Sequence, residues 1–429
     1  SNGDIKVNGK GISKLLIEGD DLFDDKYKLL SKNLDAKNID EIEILKNYED
    51  NPVLKSFQNS DKVAVNLKLK QEKKNVWFGN IDIGYGVKNR YNSSLNIGLL
   101  KKNIKLINLS NANNLGQKAI SQTQNESPLT SNDLETGGKI EKKNFEIVDI
   151  DNISSSNFSN NEDIFNNSFL NSLSFLTNLS SNTKLRSLTY FTYDEIQKQN
   201  NRIIEYFIQP DRIFFTEQNN IDIKDLSISN EFELKHYSQN ESYFTYNFTF
   251  ENNTTKTNGN LIFNDDNISQ FQDTRKYNFY NHLNYTKKLS ENLLFITYGY
   301  LGENRTDQEY TIDPNIFSDL FSNEESLSIH QESKTPLKYY GFISELTSKL
   351  KKSEYQFEFA ALVNEDKIEN IFRFSDQIPI DTLSNRTEYK NSSLSFTGKF
   401  KHNISEHFRV NSSLNFSKNF LKINNTEED

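Results

Sequence analysis

Five histidines are the side chains most able to hold a metal or move a proton, and their spacing decides what they can do. His236, His282, His330, His402 and His407 are scattered through the chain, and none stands in the HExxH spacing that sets two imidazoles on one helix face around zinc. His402 and His407 flank a predicted short turn, where a solvated imidazole needs no metal. Asp265-Asp266-Asn267 with Ser269 has the opening of a calcium loop. That loop needs glycine at its sixth position and glutamate at its twelfth, and the chain has Gln270 and Lys276 there. Gly9-Lys10-Gly11 has neither the spacing nor the following helix of a phosphate loop. No GxSxG marks a nucleophilic serine. Asp20-Asp21 and Asp24-Asp25 are adjacent carboxylates of the kind that share acid–base work, but helix capping and solvation account for them. Asn92-Ser93-Ser94 and its like are expected by chance in a chain so rich in Asn and Ser. The sequence therefore assigns no catalytic, cofactor-binding or metal-binding residue, and no enzyme constellation stands out.

Aromatic side chains are the other candidates, since Tyr and Phe stack on ligands. The chain has 32 Phe and 20 Tyr, 12% aromatic with Trp, within a hydrophobic fraction of only 34%. That is too aromatic for a disordered chain. A mean hydropathy of -0.74, with no apolar run of 18 residues, excludes a helical membrane protein. A transmembrane β-barrel reconciles both facts, because only every second residue of its strands meets lipid. Most aromatics then belong to the lipid face and its interfacial girdles. Tyr339 and Tyr340, after a long loop, read as girdle, and no ligand-binding residue is assigned. The net charge of -10 argues against nucleic acid as a partner. Without cysteine there is no disulfide framework.

The stretch from Leu226 to Phe250 organises the rest. Leu226, Ile228, Phe232 and Leu234 alternate with Ser, Glu and Lys; after the link Ser238 to Glu241, Phe244, Tyr246, Phe248 and Phe250 alternate with Thr245, Asn247 and Thr249. A period of two places the first set towards lipid and the second towards the lumen. Strands are predicted over 75–87, 91–101, 104–112, 166–178, 183–195, 226–238, 242–254, 275–288, 293–303, 337–351, 354–372, 389–402 and 408–419. The register of 183–195 is open, with Leu188 and Tyr190 set against Leu185, Phe191 and Tyr193. Short links, such as Lys101-Lys102-Asn103 and Gln239 to Glu241, alternate with long ones over 113–165, 196–225, 255–274, 304–336 and 373–388; Lys88 to Arg90 is the exception. Short turns at one rim and long loops at the other predict a mainly β, up-and-down antiparallel barrel. Ahead of it lies a small α+β unit. It has strands over Lys14 to Glu18, Ile39 to Leu45 and Val63 to Leu69, and a short helix over Lys26 to Lys32 capped by Asp24 and Asp25.

Leu15-Leu16-Ile17-Glu18-Gly19, Ile39-Asp40-Glu41-Ile42-Glu43-Ile44-Leu45-Lys46 and Val63 to Leu69 resemble plug strands of the TonB-dependent outer-membrane receptors. Trp77-Phe78-Gly79-Asn80 with Gly84-Tyr85-Gly86 resembles the first barrel strand, and Asn111-Ala112-Asn113-Asn114 the end of the third. The likeness is greatest to the Bacteroidota branch with a carboxypeptidase-regulatory-like N-terminal domain. It implies that residues 1–74 are the rear part of a plug and residues 75–429 the front part of a barrel in the bacterial outer membrane. It also implies energy-coupled uptake of a scarce solute (siderophore, glycan or peptide), with membrane lipid and the TonB–ExbB–ExbD complex as partners. A surface-binding or adhesion barrel and a passive porin are the alternatives. On this reading the barrel is incomplete, about 13 strands of about 22. The chain is expected to be a piece of a longer one at both ends, with Asn424 to Asp429 opening a further loop. Both Ile39 to Leu45 and Val63 to Leu69 are expected to be protected inside the barrel.

Overall fold

The computed structural model describes residues 5–24, 27–34, 36–119, 146–150, 165–208, 211–314, 328–374, 379–380, 383–405 and 408–425. Asp25, Lys26, His407 and 426–429 lie outside these residues. The chain opens with a small hairpin, Lys6–Val7 (β1) paired to Lys10–Gly11 (β2). Asn8 and Gly9 turn it with φ of 50° and 81°, the left-handed pair that a tight type I′ turn requires. That turn is the role of Gly9.

Lys14–Ile17 (β3), Asp20–Asp21 (β4), Ile39–Lys46 (β5) and Val63–Leu69 (β6) then form a four-stranded sheet in the order β4-β3-β6-β5. Helix α1 spans Tyr27–Asn33 and α2 spans Pro52–Phe57. Proline at the first position of α2 loses no hydrogen bond, and Asn51 ahead of it accepts from Val53 N and Leu54 N at 3.0 and 3.3 Å. The buried side chains of this unit, among them Leu15, Ile17, Phe23, Leu30, Val65 and Leu69, form one cluster with Leu100, Ile107, Leu109, Leu170 and Leu188 of the second sheet. The unit's core is thus completed by the other sheet. β6 is protected as expected, but β5 is not: Ile42 and Ile44 are 63% and 51% exposed. The strand order explains the difference, since β5 is the free edge of the sheet.

The second sheet has thirteen strands, all antiparallel and each beside its sequence neighbours. They are Trp77–Tyr85 (β7), Tyr91–Leu100 (β8), Ile104–Asn113 (β9), Phe165–Ser180 (β10), Thr183–Ile208 (β11), Asp211–Ser238 (β12) and Ser242–Phe263 (β13). Asp266–Ser290 (β14), Leu293–Asp313 (β15), Ile329–Leu350 (β16), Ser353–Phe374 (β17), Asn385–Asn403 (β18) and Arg409–Asn425 (β19) complete it. The expected number and order of strands hold. Four of the five expected long loops do not hold as such. Residues 196–225 and 255–274 are strand almost throughout, closing in short hairpins; at one, Asn264 and Asp265 turn with φ of 47° and 76°. The links at 304–336 and 373–388 shrink likewise. The cause is that ladder hydrogen bonds join backbones whatever the side chains. Polar residues such as Asn252, Asn253, Thr254 and Thr255 therefore continue a strand without any apolar period to announce it. The β9–β10 connection begins at Asn114. Its first residues turn over the inner face, where Gly116 N donates to Asn166 Oδ1 and Ala119 N to Asp194 Oδ1, both at 2.7 Å.

The two faces differ as the period of two requires. Arg186, Leu188, Tyr190, Thr192, Asp194 and Ile196 of β11 are buried on the inner face, which settles the register left open over 183–195. Thr245 and Thr249 are buried on that face as well. Phe244, Tyr246, Phe248 and Phe250 share the outer one, with Leu226 and Ile228 (each 44% exposed), Phe342, Phe357, Leu394, Phe396, Leu414 and Phe416. From Phe244 to Phe250 is six residue steps, roughly 20 Å along a strand. Beyond that band the same face of β13 turns polar, from Asn252 to Asn260. Among the described residues no helix is long and apolar enough to cross a membrane.

Candidate functional site

The inner face is organised around the N-terminal unit, which touches the strands from β9 to β17. A flat sheet cannot bring strands so far apart to one small body, so the sheet curls around it. The contacts gather near the short turns. Lys105 opens β9, Lys184 and Arg186 open β11, and Glu233 and Lys235 lie near the end of β12.

Lys105, almost fully buried, donates to Ile17 O at 3.0 Å, Glu18 O at 3.3 Å and Asp20 Oδ2 at 2.5 Å. Its three ammonium hydrogens thus hold the turn between β3 and β4. Lys184 reaches the other oxygen of Asp20 at 2.5 Å. Arg186, with 4% of its side chain exposed, donates to Asp24 Oδ2 at 3.0 Å and pairs with Asp21 at 3.8 Å and Glu233 at 3.3 Å. Lys235 pairs with Asp50 at 2.6 Å and Glu233 at 3.1 Å. Lys14 of β3 binds Asp21 and Asp24. The register adds a reason for this pattern. Lys184 stands directly opposite Lys235 across β11 and β12, a like-charge pair that destabilises a sheet by itself. Asp20 and Asp50 of the N-terminal unit neutralise one lysine each.

Burial works against the charge on Asp21, yet Lys14, Arg186 and Lys235 outweigh it and hold its carboxyl well below the usual carboxylate range. Asp20 is lowered too: burial opposes the charge, and Lys105 and Lys184 overcome it. The reading of Asp20-Asp21 and Asp24 as capping or solvated residues is corrected here. All three are buried and ion-paired, and α1 begins only at Tyr27. Capping is a local act. Besides the nearby Lys14 and the Asp24 N–H that Asp21 accepts, these carboxylates draw cations from strands 85 to 164 residues away, which no local pattern reports. One signal was present: Lys184 and Arg186 share strand parity with the buried Leu188, so both cations face inward.

A second contact lies further round the sheet. Val53 and Leu54 of α2 pack on Tyr243, Leu294, Ile296, Tyr298, Ile343 and Ala360. Asn51, besides capping α2, donates to Thr286 Oγ1 at 2.9 Å. Lys349 donates to Phe57 O at 3.1 Å and lies 4.8 Å over the Phe57 ring, a cation at the helix's negative end. Beyond it lies a tyrosine cluster, Tyr280, Tyr300 and Tyr339. The girdle reading fails for Tyr339, which is wholly buried on the inner face, while Tyr340 is 38% exposed on the outer. Consecutive strand residues point to opposite faces. Tyr339 fits because Gly302 opposes it: a Cβ there would stand 2.2 Å from its ring.

The four described histidines stay apart. His236 bonds Thr183 at 2.9 Å, His330 bonds Thr311 at 2.9 Å, and His402 bonds Ser353 at 2.8 Å. His282 is buried beside Tyr280. Asp266 and Asn267 begin β14 just after a hairpin turn. Among the described residues no three His, Asp or Glu side chains converge as a metal site.

No protein-family model and no curated protein sequence matches the chain. Among solved structures, the chain is similar to the ferric-catecholate import receptor Fiu from E. coli K12 in its open form, at 10% identity and a TM-score of 0.31, covering 96% of this chain and 79% of that one. It is similar also to the ferric yersiniabactin uptake receptor FyuA from Yersinia pestis, at 8% identity and a TM-score of 0.26, covering 89% and 77%. A third likeness is to the copper transporter OprC, at 7% identity and a TM-score of 0.23, covering 99% and 84%.

Proposed function

We propose that the chain is part of a TonB-dependent receptor of the bacterial outer membrane, with residues 1–74 as plug and residues 75–429 as barrel wall. The observation that carries this reading is the seating of the N-terminal unit on the inner face through Lys105, Lys184 and Arg186. The outer face supports it with an exposed apolar band close to the roughly 25 Å expected of lipid-facing barrel strands. A wide polar lumen leaks unless something fills it, and a small body tied by ion pairs fills it without being part of the wall. In this reading a scarce solute, such as a siderophore, glycan or peptide, binds from outside. The TonB–ExbB–ExbD complex then pulls the plug to open a path, and the chain carries no chemistry of its own. The buried charges suit that role, because they hold the unit by pairs that separate rather than by a shared strand. Deleting residues 1–70 and recording single-channel conductance in planar bilayers tests it. Conductance rises several-fold if the unit plugs the lumen; an unchanged value overturns the reading and favours an open porin or an adhesion barrel.

A further inference from the structure

The β9–β10 connection returns to the inner face far from the N-terminal unit. Residues 146–150 lie against β13, β14 and β15, held by two buried glutamines. Gln308 Oε1 accepts from Ile147 N at 2.7 Å and Val148 N at 3.2 Å, and its Nε2 donates to Val148 O at 2.7 Å. Gln272 Nε2 donates to the same Val148 O at 2.8 Å, while its Oε1 accepts from Ile150 N at 3.2 Å. Thr274 Oγ1 accepts from both amides, at 2.9 and 3.2 Å, which fixes the orientation of each. Gln272, Thr274 and Gln308 are 5%, 2% and 2% exposed, so the amides are set in place by packing as well as by hydrogen bonds.

The hydrogen bonds described between these glutamines and the segment all go to its main chain. An amide side chain carries both a donor and an acceptor, so it reads a peptide backbone as another strand does, without regard to side-chain identity. Selection enters at the ends. Ile150 Cδ1 lies 3.9 Å from where a Cβ of Gly259 would stand, so the missing side chain leaves room for an aliphatic one. At the other end Lys276 pairs with Glu146.

We propose that Gln272, Thr274 and Gln308 form a backbone-reading slot for an extended oligopeptide, occupied here by the chain's own residues 146–150. The preferred peptide carries an acidic residue four positions before an aliphatic one. The tethered segment is an internal competitor at high effective concentration, and an incoming peptide takes its place. This slot is separate from the plug contacts, and its binding needs neither a membrane nor energy coupling, so it stands or falls apart from the transport reading.

The test uses the whole chain purified in detergent and a fluorescent acetyl-Glu-Ile-Val-Asp-Ile-amide probe. A variant with E146G, I147P, V148P and I150P removes the three bonded N–H groups and the carboxylate that pairs with Lys276, vacates the slot and should bind the probe at least tenfold more tightly than the unaltered chain. Adding Q272A and Q308A should abolish that gain, as should N-methylation of the probe at its valine. Failure of the vacated variant to bind, with its strand content intact by circular dichroism, overturns the proposal. So does binding that survives loss of both glutamines. Should the four-residue variant fail to fold, Val148→Pro removes a single bonded N–H and should give about a threefold gain; no gain overturns the proposal.

Discussion

The N-terminal unit is held to the sheet in two places that work on different physics. Along β9 to β12 buried ion pairs are added to the shared apolar cluster, with Asp20, Asp21, Asp24 and Asp50 set among Lys105, Lys184, Arg186 and Lys235. Along β13 to β17 the contact is an apolar helix, Val53 and Leu54 seated on Tyr243, Leu294, Ile296, Tyr298, Ile343 and Ala360. Buried charges are expensive to desolvate, so they add little to net stability but cost much when one partner goes. Apolar contact is graded and non-directional. The ionic side therefore sets where the unit sits, and the helix adds adhesion that tolerates small shifts.

The largest effect should come from Arg186→Ala. It leaves Asp21, Asp24 and Glu233 short of a buried cation and should lower the opening free energy of β3 and β6 by about 3–5 kcal/mol, read by hydrogen exchange of residues 14–69. A loss no larger than that of Leu54→Ala would erase the contrast. Leu54→Ala itself should cost about 2–3 kcal/mol for the cavity under α2, and the exchange of β3 should change less than that of α2. Asn51→Ala should cost roughly 1–2 kcal/mol, because one side chain supplies both the helix cap and the bond to Thr286; Asn51→Asp should restore the cap but not that bond.

Acid should separate the two sides by the smallest margin. The folded-state pKa values of Asp20 and Asp21 lie below their unfolded values. Their contribution is therefore full above the unfolded value near 3.8 and is lost as pH falls through the folded ones. By pH 3.5 only the top of that window is reached, and the loss should be roughly half a kcal/mol per group. Exchange should quicken in β3 and β4 and not in α2. Equal quickening in α2 would mean that acid loosens the whole unit.

Strand number, order and facing were legible in the sequence because they follow from a local rule. Outer side chains must be apolar over a fixed height, so Phe244, Tyr246, Phe248 and Phe250 declare both a strand and its orientation within seven residues. The rest was decided by tertiary structure. Polar strand ends such as 252–260 exist because a neighbouring backbone is there to pair with, not because of their own side chains. Asp20 and Asp24 look like any capping aspartates until β9 and β11 bring cations to them. Tyr339 looks like its neighbour Tyr340 until the strand's parity is joined to the space over Gly302. Gln272, Gln308 and residues 146–150 carry no mark of their meeting, since amide hydrogen bonds to a main chain leave no trace in the identities of the residues they hold. The outer face answers to its solvent, which is the same for every strand; each inner residue answers to one partner, which only folding supplies.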